Sequence, residues 1–401
     1  MKICFVCNEY PPSRHGGIGT FVRVLGRELV RRGHQVRVIG IYDRDDRSRD
    51  FEVDNGVLVW RLRNEIKLIG WLQARYAMYR KISEWAAAGD IDLVEVPDYG
   101  GAAAGWPKMS IPVIARLHGS GTYFASEMGW KIDPIMKSAE RWSLRRANSC
   151  CSCSSYTAAR TTAVVAPGLT VNAILHNAID SVPEDVGHLK SRWQVIYSGT
   201  LTPKKGIISL IDAWPSVQRV CPSAELHICG SDGRTDSGRP VTLYLIATLG
   251  QLLGKSVHYH GFVPRERLLR MLRTASVAVF PSFSEAFAIA PIEAMAHNCA
   301  TIYTVLASGP ELIEDGRTGL LVDPRKPGDI SNAIIRILQD EALTERLGRQ
   351  GREHVEKHLS IGVAAPENER FYRDCLIRFR PAIGGNHVKG PSHAYTPGGS
   401  S

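Results

Sequence analysis

The feature that most constrains the fold is an alternation of short apolar, β-branched runs with helix-period segments, and this alternation occurs twice. The first half contains the strand-like runs KICFVCNEY, QVRVIGIYD, DLVEVP, VIARLHG, SCCSCS and AILHNAI. Helical segments, such as the one at 21–33, separate these runs. After a polar stretch the pattern restarts with QVIYSGT, ELHICG, SVHYHGF, SVAVFPS and TIYTV. Strands that alternate with helices favour parallel, doubly wound sheets, so the sequence predicts two Rossmann-like α/β units.

The polar, aperiodic residues 182–192 are the candidate linker between these units, and a chain of 401 residues suits two domains. We predict a first domain over residues 1–187 and a second over 188–365. A helix over 366–383 and a flexible Gly/Pro/Ser/His-rich tail over 384–401 follow. Ligands of doubly wound folds lie at the carboxyl ends of the strands, so we expect the chemistry in a central cleft that both domains face.

Composition narrows the class of protein without identifying a function. The net charge of +9 is spread over both halves, so nucleic acid is not an expected partner. A cationic cleft for phosphorylated substrates, a basic surface near anionic lipid and an ordinary solvated surface all fit this charge. No apolar run approaches the ~20 residues that span a bilayer, and no signal-peptide pattern opens the chain. We therefore expect a cytoplasmic protein, with peripheral contact at the inner face of the membrane as a further option.

The nine cysteines raise the question of disulfides or a metal. Cys4 and Cys7 form a C-x-x-C pattern, but residues three apart on a strand point to opposite faces. The cysteines at 150, 151 and 153 have no complementary Cys/His pair at zinc spacing. His258 and His260 share a strand face, yet two ligands are too few. The sequence thus predicts reduced, buried thiols and no metal site.

The first loop with chemical potential contains Gly16, Gly17 and Gly19, between the first strand and the first helix. Glycines let backbone N–H groups approach an anion, and a helix N-terminus favours negative charge. Val22 stands where the third glycine of a dinucleotide fingerprint belongs, which argues against that motif. Contact with a phosphate or substrate and a plain tight turn both fit this loop.

Three other strand ends carry polar candidates. Lys204 and Lys205 precede Gly206 directly after a strand-like run, where a lysine can neutralise a diphosphate or simply be solvated. His118 ends the run VIARLH and is either a cleft group or an ordinary hydrogen-bonded histidine. Glu311 is either another cleft acid or a helix-start residue.

The segment SEAFAIAPIEAMA, at 284–296, is the most informative of all. A helix that starts near Ala288 would aim its free amides into the cleft. With Glu285 in the loop and Glu293 early in that helix, both carboxylates can accept hydrogen bonds from one hydroxyl-rich ligand, such as a ribose or a sugar ring. A helix-start acid and a surface acid are the alternative, and the residues alone do not decide between them.

Together these segments resemble the family 4 retaining glycosyltransferases, from the first strand to about residue 380. SEAFAIAPIEAMA is similar to that family's E-x7-E motif, and SGPELIEDGRTGLLVDP follows it as expected. HNAID, at 176–180, is similar to the Asn-Gly-Ile-Asp segment, and GGIGTFVRVLGRELVRRGHQVRVI to the opening loop and helix. The resemblance implies a GT-B fold, a nucleotide-sugar donor and a last helix, over 366–381, that crosses back to the first domain.

The resemblance also implies roles for single residues. Glu285, near the reacting carbon of the donor sugar, and His118, lining the sugar pocket, are the catalytic candidates. Glu293 would hold the ribose and Lys205 the diphosphate. The full set of expected donor-binding residues is Gly16, Gly17, Gly199, Thr200, Lys205, Phe287, Ala288, Ile289 and Glu293. Candidates for the acceptor or the cleft are Gly19, Asn177 and Glu311.

Three positions depart from the family pattern. Thr200 replaces a common arginine, which removes one phosphate-neutralising charge, while Ala288 and Ala178 replace usual glycines. These changes concern the identity of the donor more than the reaction type.

We expect a retaining, metal-independent transfer from a nucleotide-diphosphate sugar, most readily a UDP-sugar, with no other cofactor. The acceptor is a hydroxyl of a small molecule, a glycan or a lipid-linked glycan. The aromatic and basic residues 67–85 form either a contact for membrane or lipid-linked acceptor, or a core-packing helix with a basic outer face. The rival functions are a sugar-nucleotide epimerase, a glycosyl phosphorylase, an NAD-dependent oxidoreductase and an inactive carbohydrate- or lipid-binding protein.

Overall fold

A computed structural model describes residues 1–63, 70–180 and 190–379. Most of the candidate linker 182–192 and the whole predicted tail 384–401 lie outside the described residues.

The first sheet has eight strands in the order β3-β4-β2-β1-β5-β6-β7-β8, all parallel to their neighbours except β3, which is antiparallel to β4. Its strands are β1 (Lys2–Val6), β2 (Gln35–Tyr42), β3 (Phe51–Asp54), β4 (Val57–Arg63), β5 (Leu93–Pro97), β6 (Val113–Leu117), β7 (Ser149–Ser152) and β8 (Ala173–Ile174). The helices of this half are α1 (Gly17–Arg31), α2 (Gly70–Ala87), α3 (Gly121–Met128), α4 (Pro134–Arg146) and α5 (Ser155–Val164).

The second sheet is wholly parallel, in the order β11-β10-β9-β12-β13-β14. Its strands are β9 (Ser191–Ser198), β10 (Glu225–Cys229), β11 (Val257–Tyr259), β12 (Ala275–Phe280), β13 (Ala300–Thr304) and β14 (Leu320–Val322). Its helices are α6 (Ile207–Val220), α7 (Val241–Leu249), α8 (Arg265–Thr274), α9 (Ile289–Ala296), α10 (Gly309–Leu312), α11 (Pro327–Gln339), α12 (Glu341–His358) and α13 (Ile361–Arg378).

Central strands carry continuous apolar runs because helices cover both faces of each sheet. Every residue of β5, β6, β12 and β13 is buried. Alternate residues of one strand therefore belong to different cores: Val277 and Val279 pack on one face of the second sheet, Ala278 and Phe280 on the other. The prediction of two doubly wound α/β units is confirmed.

The strand predictions were incomplete at the sheet edges. The β3–β4 hairpin was missed, although Asn55 and Gly56, both with positive φ (49° and 85°), form the two-residue turn that favours a hairpin. The edge strand β14 was also missed. The run AILHNAI contributes only the two residues of β8, and β12 ends at Phe280 rather than Ser282.

Within 67–85, residues 67–69 lie outside the described part of the chain, and the rest belongs to α2. Met78, Ile82 and Trp85 are buried in the first domain, whereas Tyr76 is 61 % exposed. This burial fits the core-packing interpretation of the helix.

Helix α13 begins five residues before the segment predicted at 366–381, ends at Arg378 and packs against the first domain. The buried Arg116 of β6 donates from Nε and Nη2 to Glu95 at 2.8 and 3.0 Å, and from Nη2 to Asn368 Oδ1 at 2.5 Å. Tyr372 Oη donates to Glu95 Oε2 at 2.7 Å. A buried ionic cluster thus joins α13 to the first sheet, while the exact domain boundaries stay predictions.

The nine cysteines are all buried and free of disulfides. Among the helices that can be described, none is both long and apolar enough to cross a bilayer.

Candidate active site

The carboxyl ends of the two sheets meet at a cleft, and side chains of α3 reach across it. Tyr123 Oη donates to the backbone carbonyl of Glu285 at 3.2 Å. The ammonium of Lys204 lies 3.6 Å from the centre of the Phe124 ring. Since α3 follows β6 while these partners follow β12 and β9, the contact forms where ligands of doubly wound sheets bind.

Glu285 lies in the loop between β12 and α9 and is only 7 % exposed. Its Oε1 accepts a hydrogen bond from Lys205 Nζ at 2.5 Å and from Ser282 Oγ at 3.0 Å. Burial alone would raise the pKa of Glu285, but the charges of Lys205 and Lys204 and these hydrogen bonds outweigh it and lower the pKa. The structure therefore places an anionic carboxylate at the end of β12.

A glycine sets the direction of the lysine loop. Lys204 and Lys205 lie in a 3-10 turn, Pro203–Lys205, and Gly206 follows with φ +70° at the start of α6. A Cβ at Gly206 would lie 1.7 Å from the carbonyl oxygen of Pro281, so only glycine fits. This close approach brings the lysine loop against the loop that carries Glu285.

Lys204 is the second cation of that loop. Its backbone carbonyl accepts from Phe283 N at 2.8 Å. Burial lowers the pKa of Lys204 to about 8; Glu285 opposes this shift and Lys205 adds to it. Lys204 is therefore charged at neutral pH and loses its charge in mildly basic solution.

Three consecutive carbonyl oxygens of the Glu285 loop accept hydrogen bonds from the first domain. They belong to Glu285, Ala286 and Phe287. The donors are Tyr123 Oη at 3.2 Å for the first, Ser154 Oγ at 2.7 Å and Thr157 Oγ1 at 3.1 Å for the second, and Asn177 Nδ2 at 2.8 Å for the third. The conformation of this loop therefore depends on the position of the first domain.

Glu293 is on the first turns of α9, as predicted, and is 8 % exposed. Its Oε1 accepts from Arg265 Nε and Nη2 at 3.0 and 2.8 Å. Its Oε2 makes no hydrogen bond with any described residue. The ion pair with Arg265 uses only Oε1 of Glu293. Oε2 is therefore the atom that could accept hydrogen bonds from the predicted ribose hydroxyls.

The glycine loop contacts Glu9, an acidic residue of the same domain. Gly16 precedes α1 and Gly17 begins it, and no atom lies within 4 Å of where a Cβ of Gly17 would be. Gly19 N donates to Glu9 Oε1 at 2.8 Å, and a Cβ at Gly19 would lie 1.9 Å from the Glu9 carbonyl oxygen. Packing against Glu9 thus explains Gly19 without a ligand, while Gly17 borders open space.

His118 follows β6 at the cleft. Its ring meets Phe21 edge-on at 5.0 Å, and its backbone N donates to Asp98 Oδ1 at 2.9 Å. Burial, reinforced by the charge of Arg116, lowers the pKa of His118 to about 3. His118 is therefore a neutral hydrogen-bonding group at physiological pH and not a cationic acid.

Asp98, at the end of β5, is a buried acid that sequence reasoning missed. Burial raises the pKa of Asp98 to about 7. The negative charge of Glu140 also raises this pKa, whereas the hydrogen bond from the His118 amide lowers it. Its position directly after the run DLVEVP, at a carboxyl strand end, was the available signal.

Glu311 lies in the first turn of a helix, which was one of its two expected positions, and it also makes a contact that was not expected. It belongs to the short α10, and its carboxylate crosses the cleft to the first turn of α5. Oε2 accepts from Ser155 N and Oε1 from Tyr156 N, both at 2.7 Å. Both oxygens are thus engaged, so Glu311 joins the two domains at this point.

Two candidates at the end of β9 are held by backbone contacts. Gly199 N donates to the Cys229 carbonyl at 2.9 Å, and the Thr200 carbonyl accepts from Tyr197 Oη at 3.3 Å. Thr200 is exposed.

Phe287, Ala288 and Ile289 form the entry to α9. Phe287 stacks on His176 of the first domain with ring centres 4.5 Å apart. Ala288 is the N-cap residue and Ile289 begins the helix, close to the predicted start.

The residues that bind the Glu285 loop from the first domain were not predicted, apart from Asn177. Tyr123, Ser154 and Thr157 lie more than 125 positions away from it, and one sequence does not reveal such pairings. Ser154 is the last residue of the run SCCSCS, so the strand-end rule would have included it.

A cavity of about 360 Å³ opens between the two domains beside the Glu285 loop. The residues that line it are Ser126, Glu127, Met128, Tyr156, Arg160, Phe283, Leu306, Ala307 and Arg325.

Two doubly wound domains whose strand ends enclose a partly buried Lys–Glu pair define a GT-B enzyme architecture. The family described as Glycosyltransferase Family 4 matches residues 15–181, and the family described as Glycosyl transferases group 1 matches residues 179–354. The chain belongs to this group 1, family 4 class of glycosyltransferases, and it is a hexosyltransferase-type enzyme.

Curated and solved relatives span nearly the whole chain. Glycogen synthase of Mycobacterium tuberculosis is 25% identical over 400 residues, covering 93% of this chain and 94% of its own length. Sucrose-phosphate synthase from Thermosynechococcus elongatus superposes with a TM-score of 0.77 at 22% identity, covering 94% of this chain and 99% of that chain. Anabaena Alr3699/HepE, solved in complex with UDP and glucose, has a TM-score of 0.69 at 15% identity, covering 93% and 100%. The predicted GT-B fold is confirmed.

Proposed function

We propose that this enzyme transfers a glycosyl group from a UDP-sugar to an acceptor hydroxyl, with retention of anomeric configuration and without a metal ion. The observation that carries the proposal is the ion pair between half-buried Lys205 and buried Glu285, 2.5 Å apart, between the carboxyl ends of β9 and β12. A cation for the diphosphate and an anion for the sugar are thereby adjacent.

The leaving diphosphate needs positive charge. Lys205 is the first source, Lys204 the second, and the amides at the start of α9 the third. When the donor binds, a phosphate oxygen takes the place of Glu285 Oε1 as the acceptor of Lys205. Two lysines and a helix start thus supply the charge that a metal supplies in other transferases.

The reaction exchanges one bond for another on the same face of the sugar. The bond from the anomeric carbon to the diphosphate oxygen breaks, and a bond to the acceptor oxygen forms. The acceptor proton passes to the departing phosphate oxygen. Glu285, anionic because its pKa is lowered, stabilises the positive charge on the anomeric carbon. His118, neutral because its pKa is about 3, donates or accepts one hydrogen bond with a sugar hydroxyl.

The nucleotide is held by the second domain. Glu293 Oε2 accepts from the ribose hydroxyls while Arg265 keeps Oε1 oriented. The Anabaena structure with bound UDP and glucose supports uridine as the base. Exposed Thr200 adds no charge, so Lys204 and Lys205 carry the diphosphate contact.

The acceptor enters through the interdomain cavity beside the Glu285 loop. Arg160 and Tyr156 line it from the first domain and Arg325 from the second, which suits a polyhydroxylated or anionic acceptor, whether a small molecule, a glycan or a lipid-linked glycan. On α4, Ile135 and Trp142 are 74% and 55% exposed, which supports peripheral contact with a membrane that carries a lipid-linked acceptor.

The test begins with a thermal-shift screen of UDP-, GDP-, ADP- and dTDP-sugars. We expect UDP-sugars to raise the melting temperature, and this gain to shrink in Glu293→Ala. Products from an acceptor library, assigned by NMR, should keep the anomeric configuration of the donor, and EDTA should leave the rate unchanged. Stabilisation by another nucleotide alone, an inverted product or loss of activity in EDTA would each overturn its part of the proposal.

A further inference from the structure

At the edge of the second sheet, three imidazoles and a carboxylate lie close together, outside the Lys205–Glu285 pair. His227 of β10 lies in register with His258 of the edge strand β11. Side chains two residues apart share a sheet face, which places Glu225 beside His227 and His260 beside His258. The sequence had identified only His258 and His260, because the pairing of β10 with β11 supplies the other two groups.

The distances suit a small metal ion. Glu225 Oε2 lies 3.5 Å from His227 Nε2 and 4.0 Å from His258 Nε2, and one ligand atom from each residue falls within 4.8 Å of the others. Zinc bonds of about 2.0–2.1 Å at tetrahedral angles separate ligand atoms by roughly 3.3 Å, so small rotations of these side chains complete the geometry. Two imidazoles, one carboxylate and a water form an ordinary zinc ligand set.

His260 orients the ring of His227 through a contact between their ring nitrogens. Nδ1 of His227 and Nε2 of His260 are 3.0 Å apart, and their rings are nearly parallel. A hydrogen bond from His227 Nδ1–H to His260 leaves the lone pair on His227 Nε2, as in metal sites where a partner orients the ligating ring. That Nε2 is buried and has no hydrogen-bond partner. A buried nitrogen without a partner is costly, and a metal ion would satisfy it.

We propose that Glu225, His227 and His258 bind one divalent transition metal ion of the Zn²⁺ type, with His260 orienting the ring of His227. Glu225 and His258 keep 53% and 28% of their side chains exposed, so an ion can enter from solvent.

The ion would hold the edge strand β11 to β10. The backbone after β11 also bonds to that after β10, through Gly230 N and the Gly261 carbonyl at 2.7 Å, and α8 with Arg265 begins four residues later. The ion therefore stabilises the base of the segment that carries Arg265. It takes no part in glycosyl transfer.

The experiment is calorimetric titration of the full-length enzyme, stripped of metal, with ZnCl₂. We expect one site whose affinity falls about tenfold or more in Glu225→Gln/His258→Ala, because loss of even an outer partner costs about 10–100-fold. Cobalt(II) absorption of the tetrahedral type should appear in the wild type and vanish in this variant. Circular dichroism checks that the exposed substitutions leave the fold intact.

A matched control comes from His354 and His358 on α12, whose ring centres are 5.0 Å apart. His354→Ala/His358→Ala should bind zinc like the wild type. Three results would each overturn the proposal. They are a loss of zinc affinity in the control variant, an unchanged zinc affinity in Glu225→Gln/His258→Ala, and no detectable zinc binding by the wild type. Transferase activity of Glu225→Gln/His258→Ala with and without EDTA tests the proposed function separately, because this variant lacks the zinc site.

Discussion

Among the contacts between the two domains, two differ clearly in their chemistry. The strap contact, where α13 returns to the first sheet, is a buried ionic cluster of Arg116, Glu95, Asn368 and Tyr372. The cleft contact consists mainly of neutral side chains that donate to the carbonyls of 285–287. Water replaces a neutral hydrogen bond at a net cost of about 0.5–1.5 kcal/mol, whereas a hydrogen bond to a charged group contributes about 1.5–3 kcal/mol. Lifting α13 away would break the bonds of Asn368 and Tyr372 to the buried Arg116–Glu95 pair, which itself lies within the first sheet. The comparison favours opening at the cleft with the strap as the pivot.

The largest expected effect comes from removing Arg116, the central cation of the strap contact, and it tests the difference between the two contacts. Arg116→Met leaves Glu95 buried without its ion pair, and we expect a loss of about 3–5 kcal/mol in the free energy of unfolding. Chemical denaturation measures it. The double variant Arg116→Met/Glu95→Leu should recover part of the loss, since both charges are then absent. An unchanged unfolding midpoint in the single variant would contradict the role given to the strap contact.

The next largest effect concerns chemistry at the cleft. Lys205→Met removes the cation beside Glu285, and kcat should fall about 10²–10³-fold, as when one preorganised charge-stabilising donor is lost. Steady-state kinetics with saturating donor measure this change. The matched variant Lys204→Met should lose less, because Lys204 lies over Phe124 rather than against Glu285. Equal losses in both variants would mean that the two lysines share one role.

A smaller effect follows from the pKa of Lys204, about 8. Its ammonium loses its proton as the pH rises through this value, so the attraction for the donor diphosphate weakens. Between pH 7 and 9 we expect donor affinity to fall about tenfold, since one pH unit above a pKa leaves roughly a tenth of the groups charged. Lys204→Arg should abolish the fall, measured as the donor KM across this range. A decline that persists in Lys204→Arg must come from another group.

The smallest effect tests the cleft contact itself. Tyr123→Phe removes one neutral hydrogen bond to the Glu285 carbonyl, which Ser308 Oγ also approaches at 3.4 Å. We expect the donor KM to rise about fivefold, that is by roughly 1 kcal/mol, with stability nearly unchanged. Tyr244→Phe is the control, because Tyr244 Oη donates to Asp212 and not to the loop. A Tyr123→Phe effect as large as that of Arg116→Met would erase the distinction between the two contacts.

The order of strands and helices was predictable because buried parallel strands leave continuous apolar runs in the sequence. Edge strands escaped, since β3 alternates exposed and half-buried residues, and β14 is only three residues long. The turn at Asn55 and Gly56 was a readable signal that was not used.

The site was predictable in part. The placement of Glu285 in a loop and Glu293 in a helix follows from helix periodicity and agrees with the structure. The partners of these acids did not follow: Arg265 lies 28 positions from Glu293, and Tyr123 lies 162 positions from Glu285. Such pairings depend on how the chain brings strand ends together, which no local pattern encodes.

The cap that Glu311 places on α5 has a consequence for measuring motion. The amides of Ser155 and Tyr156 have their acceptor in the opposite domain. When the cleft opens, both amides meet solvent and exchange their hydrogens, although α5 itself stays folded. Hydrogen–deuterium exchange at these two amides therefore measures cleft opening. Their rate of deuterium uptake reports the fraction of time that the enzyme spends closed.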